Sequence, residues 1–155
     1  MLENDFAEIY TKFKLHFYKK IFSRFQSREA SLTAVETFCV EAIYALNKPT
    51  INEFATFTQI SAPNAAYKIN NLIKKGYVRK IQSTEDKREY YLEVTDRFLE
   101  YYGISYDYIE TVMKRIRLRF PQEDVAKLEE MLSIISEDLM EETQIPQHNR
   151  KTTQG

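Results

Sequence analysis

The segment SAPNAAYKINNLIKKGYVRKIQSTEDKREYYLEVT, Ser61 to Thr95, constrains the fold of this chain more than any other stretch. Ser61 is a helix N-cap, and Pro63 falls inside the first turn, where a missing N–H costs nothing. Ala65, Ile69, Leu72 and Ile73 then recur at helical spacing until Gly76, which supplies a left-handed stop. Tyr77 to Gln82 and Glu89 to Val94 read as two short strands, and Glu85, Asp86, Lys87 and Arg88 form a charged loop between them. A capped helix that runs straight into a charged hairpin leaves few architectures open.

The preceding stretch narrows them further. TINEFATFT, Thr50 to Thr58, reads as a short extended entry and a brief helix around Glu53 to Phe57, followed by a tight turn at Gln59 and Ile60. Two short helices across a tight turn, then a strand, a charged loop and a second strand, are the parts of a winged helix-turn-helix. Before them, Ser31, Leu32 and Thr33 start another helix, with Thr33 and Glu36 at capping-box spacing. Val35, Phe38, Cys39, Ala42, Ile43 and Leu46 are its predicted buried face, and Asn47 and Pro49 end it.

Long helices flank this lobe. Phe6, Tyr10, Phe13, Phe17, Ile21 and Phe25 draw an aromatic stripe along a first helix. After Thr95 one apolar-periodic run, Phe98, Leu99, Tyr102, Ser105, Tyr106, Ile109, Val112, Met113 and Ile116, predicts a single helix over Asp96 to Arg119. Pro121 breaks it, and Val125, Leu128, Leu132, Ile135 and Leu139 mark a last helix within Gln122 to Glu141. The expected fold is mainly α with a small β-hairpin wing: one domain over 1–143, a winged-helix lobe at about 32–95, and dimerisation helices at about 4–28 and 96–141. The polar tail 144–155 is expected to be disordered.

Composition closes off other classes. A chain of 155 residues with 43% hydrophobic content, 3 Gly and 4 Pro suits one core-bearing domain rather than a disordered string. No apolar run approaches the roughly 20 residues that span a bilayer, and the N-terminus lacks a signal-peptide core, so the chain is expected in the cytoplasm and off the membrane. With only Cys39, His16 and His148 available, no metal site is expected. No nucleophile–histidine pairing or Gly-rich phosphate loop supports an enzyme, and no cofactor is expected.

The formal net charge of -1 hides an uneven distribution. Between Ser61 and Arg88 lie Lys68, Lys74, Lys75, Arg79, Lys80, Lys87 and Arg88 against Glu85 and Asp86 alone. Glu129, Glu130, Glu137, Asp138, Glu141 and Glu142 offset them near the C-terminus. Such a map suits an anionic partner, and a plainly solvated surface is its rival.

Leu32-Thr33, SAPNAAYKINNLIKKGYVRK at Ser61 to Lys80, and STEDKREYYLEVT at Ser83 to Thr95 together resemble the MarR family of bacterial transcription regulators. Asp86, Lys87 and Arg88 match the family's Asp-x-Arg wing, and Leu92, Val94 and Thr95 match the exit strand. The likeness is close from Leu32 to about Phe98. It departs at Tyr67 and Asn71, where many relatives carry Arg or Lys, and at Phe98, near which relatives often have glycine.

The resemblance implies double-stranded DNA as partner. The open face of the recognition helix would carry Asn64, Tyr67, Lys68 and Asn71, with Ser61 and Pro63 at its entry. Arg88 would enter the minor groove and Asp86 would orient it, while Lys80 and Lys87 would meet phosphates. One recognition helix covers few base pairs, so two copies on a (pseudo)palindrome are expected, joined through Phe6, Tyr10, Phe13, Phe17, Leu128, Leu132, Ile135 and Leu139. A repressor is the leading expectation. Its ligand-binding residues are unknown: relatives respond to small aromatic or lipophilic effectors, and Tyr101, Tyr102, Tyr106 and Tyr108 cluster here, although such residues are more often core. Two alternatives stand beside it, a winged-helix module for an acidic protein partner and a thiol-based redox regulator through Cys39.

Overall fold

Three of the helices start on a side-chain cap, and these caps set the lobe's geometry. The computed structural model describes residues 1–25, 32–102, 104–143 and 145. In chain order it has α1 (Leu2–Phe25), α2 (Ala34–Ala45), α3 (Ile51–Thr58), α4 (Ala62–Lys74), β1 (Val78–Gln82), β2 (Tyr90–Val94), α5 (Asp96–Tyr102), α6 (Ile104–Arg119) and α7 (Gln122–Asp138). They form two compact units, one holding α1, α6 and α7, the other α2 to α5 with the hairpin. The architecture is mainly α with a two-stranded antiparallel wing, as the sequence predicts. No helix among the described residues is long and apolar enough to cross a membrane.

At α2 the Thr33 hydroxyl accepts from the Glu36 N–H at 3.2 Å, and the Glu36 carboxylate accepts from the Thr33 N–H at 2.9 Å. The same box recurs at α3 between Thr50 and Glu53, at 3.1 and 3.2 Å. It starts α3 at Ile51, ahead of the predicted Glu53, and the Thr-x-x-Glu spacing was its readable signal. Ser61 caps α4 by accepting from the Asn64 N–H at 3.3 Å. Each cap contributes about 1 kcal/mol.

The turn between α3 and α4 is held by Gln59 in the left-handed region, φ 56° and ψ 39°. A side chain is disfavoured there and glycine is not. The Gln59→Gly variant should therefore gain about 0.5–1 kcal/mol of stability, read as a higher thermal midpoint. A lower midpoint would show that the Gln59 side chain contributes more than its backbone strain removes.

The core of this unit closes around Val40, Ile43, Phe54, Ala65, Ile69, Leu72, Tyr77, Leu92 and Phe98, all sealed from solvent. The hairpin pairs in the register Val78↔Val94 to Gln82↔Tyr90. Leu92 N–H donates to the Pro49 carbonyl at 2.8 Å and Thr50 bridges to Tyr91, so the entry to α3 adds a short third edge. Gly76, at φ 81°, is the predicted left-handed stop. Its carbonyl accepts from the Thr95 hydroxyl at 2.6 Å, and the Lys75 carbonyl accepts from Arg97 at 2.9 Å. The exit threonine thus ties the end of α4 to the start of α5.

Two expectations for α2 need correction. Val35 and Phe38 are 58% and 61% exposed, not buried. The face turned inward is centred on Val40 and Ile43, and at 100° per residue Val35 and Phe38 fall roughly opposite it. Glu41 is half-buried with its Oε1 shielded from water and without a hydrogen-bond partner. Burial pushes this carboxyl up to about 7.

In the other unit α1 packs on α6. Phe13 meets Tyr108 edge-on at 5.4 Å between ring centroids, and His16 stacks on the same ring at 3.8 Å. Further along α6, Met113 and Ile116 line a groove with Val125 and Leu128 of α7. The predicted single helix over Asp96 to Arg119 is two helices, α5 and α6. Gly103, between them, lies outside the described residues. So do the side chains of Phe25, Tyr101, Tyr102 and Tyr106, residue Ser31, and all of the tail except Ile145.

Candidate nucleic-acid interface

With Ala65, Ile69 and Leu72 buried, α4 turns the opposite side to solvent. Ser61, Pro63, Asn64, Tyr67, Asn70 and Lys74 are exposed on it and Asn71 is half-exposed. Tyr67, 67% exposed, stands at the centre of this face. Asn70 and Lys74 were missing from the predicted set; they follow from counting 100° per residue on either side of Tyr67.

The lysines on α4 behave differently from one another. Lys68 is half-buried at the edge of the face, close enough for its charge to bear on the Cys39 thiol. Lys75, at the C-cap, reaches back 39 positions to Glu36 and donates to its carboxylate at 2.7 Å. Partial burial pushes the Glu36 carboxyl up, but the hydrogen bonds from Lys75 and Thr33 outweigh it and hold the group below its ordinary value. One carboxylate therefore caps α2 and anchors the end of α4.

The wing is built from its own hydrogen bonds. Ser83, buried at the base, accepts from the N–H groups of Glu85 and Asp86 at 3.2 Å each. Its own N–H donates to the Glu89 carbonyl at 2.9 Å, and the Gln82 amide donates to the Lys87 carbonyl at 2.8 Å. Asp86 accepts from the Arg88 backbone N–H at 3.0 Å, from Nε at 3.2 Å and from Nη2 at 3.3 Å. The bonds from the Arg88 side chain and backbone lower the Asp86 carboxyl below its ordinary range. The Arg88 side chain is 91% exposed, so Asp86 orients a guanidinium that projects into solvent.

At the wing's root Glu93 takes Arg79 at 2.9 Å and Lys48 at 3.5 Å. The positive excess of the Ser61–Arg88 stretch is therefore smaller in space than in sequence, because Glu36 and Glu93 come from outside it. Lys74, Lys80 and Lys87 remain exposed and form no ion pair among the described residues.

Cys39 is buried as predicted. Burial raises its thiol pKa, Lys68 opposes the rise and Glu36 adds to it. That setting disfavours the reactive thiolate.

The predicted dimerisation residues divide by position. Phe6 and Tyr10 on α1, and Leu132, Ile135 and Leu139 on α7, are exposed, whereas Phe13, Phe17 and Leu128 are half-buried beside α6. Further apolar exposure comes from Leu2, Ile9, Leu118, Phe120, Met131 and Ile134.

Residues 32–90 match the model of the MarR family. No curated protein sequence matches the chain. Among solved structures, the fold is similar to Streptococcus pneumoniae FabT in complex with DNA, at 16% identity and a TM-score of 0.56 over 92% of this chain and 97% of that one. It is similar to the transcriptional regulator Tm0710 from Thermotoga maritima, at 18% identity and a TM-score of 0.57 over 92% and 98%. It is also similar to S. aureus MepR bound to ethidium bromide, at 15% identity and a TM-score of 0.53 over 90% and 96%. The matched stretch holds the capped helix α4 and the Asp86–Arg88 wing, a winged helix-turn-helix similar to that of the MarR family.

Proposed function

We propose that this chain is a sequence-specific DNA-binding regulator of transcription, working as a homodimer on a (pseudo)palindromic promoter site and repressing by occupancy. The observation that carries the reading is the pairing of an exposed polar α4 face with an Arg88 guanidinium held outward by Asp86. A major groove is read by side-chain donors and acceptors, and a narrow minor groove concentrates negative potential that draws guanidinium groups. Lys80 and Lys87 supply phosphate contacts, which add affinity and salt dependence without specifying sequence. The DNA-bound state of FabT, whose fold is similar, supports the same use of this lobe.

The exposed apolar faces of α1 and α7 support the homodimer, since a lone chain would keep both in water. Relief by a small aromatic or lipophilic effector is supported by an apolar pocket of about 210 Å³ lined by Phe13, Lys14, His16, Phe17, Tyr108 and Ile109. The ethidium-bound MepR shows a similar fold taking a planar aromatic ligand. A winged-helix module for an acidic protein has no need of the Arg88–Asp86 geometry, and the shielded Cys39 thiol argues against a redox switch.

The test is fluorescence anisotropy on DNA fragments from upstream of the chain's own gene at several salt concentrations. Binding of one fragment should be tight and salt-dependent. The Arg88→Ala variant should lose about 1–3 kcal/mol per subunit, roughly 10- to 100-fold. Equal, weak binding to all fragments, unmoved by Arg88→Ala, would favour the protein-binding module.

A further inference from the structure

We propose that α4 reads adenine and thymine rather than guanine, so that the operator half-site is A·T-rich where it faces Asn64, Tyr67 and Asn70. The inference rests on the DNA-binding reading and specifies the substrate of that same face.

Guanine presents two acceptors in the major groove and is read by an arginine or lysine, whereas adenine presents an acceptor beside a donor and is matched by an asparagine amide. The α4 sequence, APNAAYKINNLIK, contains no arginine. Lys68 is half-buried and about 100° round the helix from Tyr67, at the edge of the face, and Lys75, at the C-cap, is held by Glu36 at 2.7 Å. Lys74 is exposed but lies two turns beyond Tyr67, about 10 Å along the axis. In helix-turn-helix docking the N-terminal part of the recognition helix meets the base edges, which leaves Lys74 for the backbone. What faces outward over the first turns is Pro63, Asn64, Tyr67, Asn70 and part of Asn71.

Three asparagine amides match adenine, and the Tyr67 ring at the centre gives an apolar surface for a thymine methyl group. The wing favours the same composition, because A-tracts have the narrow minor groove that attracts arginine. Asp86 holds Arg88 in one place at 3.2 and 3.3 Å, so both readers are set for A·T pairs.

Duplexes bound by the full-length protein are selected from a random pool, and the selected site is retitrated with single adenines replaced by 7-deazaadenine. That base keeps its pairing and loses the N7 acceptor. At one or more positions in each half-site the affinity should fall roughly 5- to 50-fold. The Asn64→Ala or Asn70→Ala variant should bind more weakly and become indifferent to the replacement at the adenine it reads. Both side chains are exposed, so an unchanged thermal midpoint shows that the variants are folded. Selected half-sites with guanine at these positions, weakened by 7-deazaguanine, would overturn this inference and leave the regulator intact. Selected A·T-rich sites that tolerate 7-deazaadenine everywhere would overturn it too, since groove shape alone would then be read. A pool that yields no preferred sequence would overturn the regulator reading itself, and this inference with it.

Discussion

At pH 8 the Glu41→Gln variant should be more stable than the parent chain by about 3 kcal/mol, and at pH 4.5 the two should be nearly equal. The reason is the half-buried Glu41 carboxyl, whose Oε1 meets neither water nor a donor. Burial raises it from 4.5 to about 7, so between these values the folded chain holds a proton that the unfolded chain has released. Stability from this group is full below about 4.5, falls as pH rises through the window, and stays at its lowest above 7. Glutamine keeps the shape and cannot ionise. Urea unfolding at pH 4.5 and pH 8 measures the difference. A glutamine variant no more stable than the parent at pH 8 would mean that Glu41 finds a partner once ionised.

The second large effect is expected at the apolar faces of the first unit. Phe6 is 58% exposed and Ile135 37%, on helices that leave these faces uncovered within one chain. Burying a side chain of this size contributes about 1.5–3 kcal/mol, and a two-fold interface uses each residue twice. Replacing Phe6 or Ile135 by Glu should then weaken self-association by on the order of a thousandfold, with an added desolvation penalty for the charge. Sedimentation at micromolar concentration would show the parent as a dimer and the variants as monomers. The variants should also lose tight binding to a two-half-site duplex while keeping the parent's helical signal by circular dichroism. Variants that sediment as the parent does would place the dimer surface elsewhere.

Much of the lobe was legible in the sequence because the interactions that define it are local. Thr33 with Glu36, Ser61 with Asn64, Gly76 at its left-handed turn, and Arg88 with Asp86 each span no more than four residues, so spacing alone announces them. The Thr50–Glu53 box is equally local, and it turns the expected extended entry into the first turn of α3. The proposed reading face was legible too: Asn64, Tyr67 and Asn70 all emerge from helical periodicity, Asn64 and Asn70 lying about 60° to either side of Tyr67.

What periodicity could not supply was which partner meets which face. An apolar spacing marks Val35 and Phe38 as candidates for burial along with Ile43, but the positions of α4 and β2 decide that Val40 turns inward beside Ile43 and that Val35 and Phe38 do not. A count of positive charges puts Lys75 and Arg79 in the basic excess, and Glu36 and Glu93, distant in sequence, pair with them. The raised Glu41 carboxyl leaves no trace in sequence, because its cause is the exclusion of water. By itself the sequence determined the caps, the turn, the wing and the order of helices, all set by hydrogen bonds among near neighbours. Only the tertiary structure decided exposure and charge pairing, because solvent exclusion and long-range ion pairs depend on where separate elements come to rest.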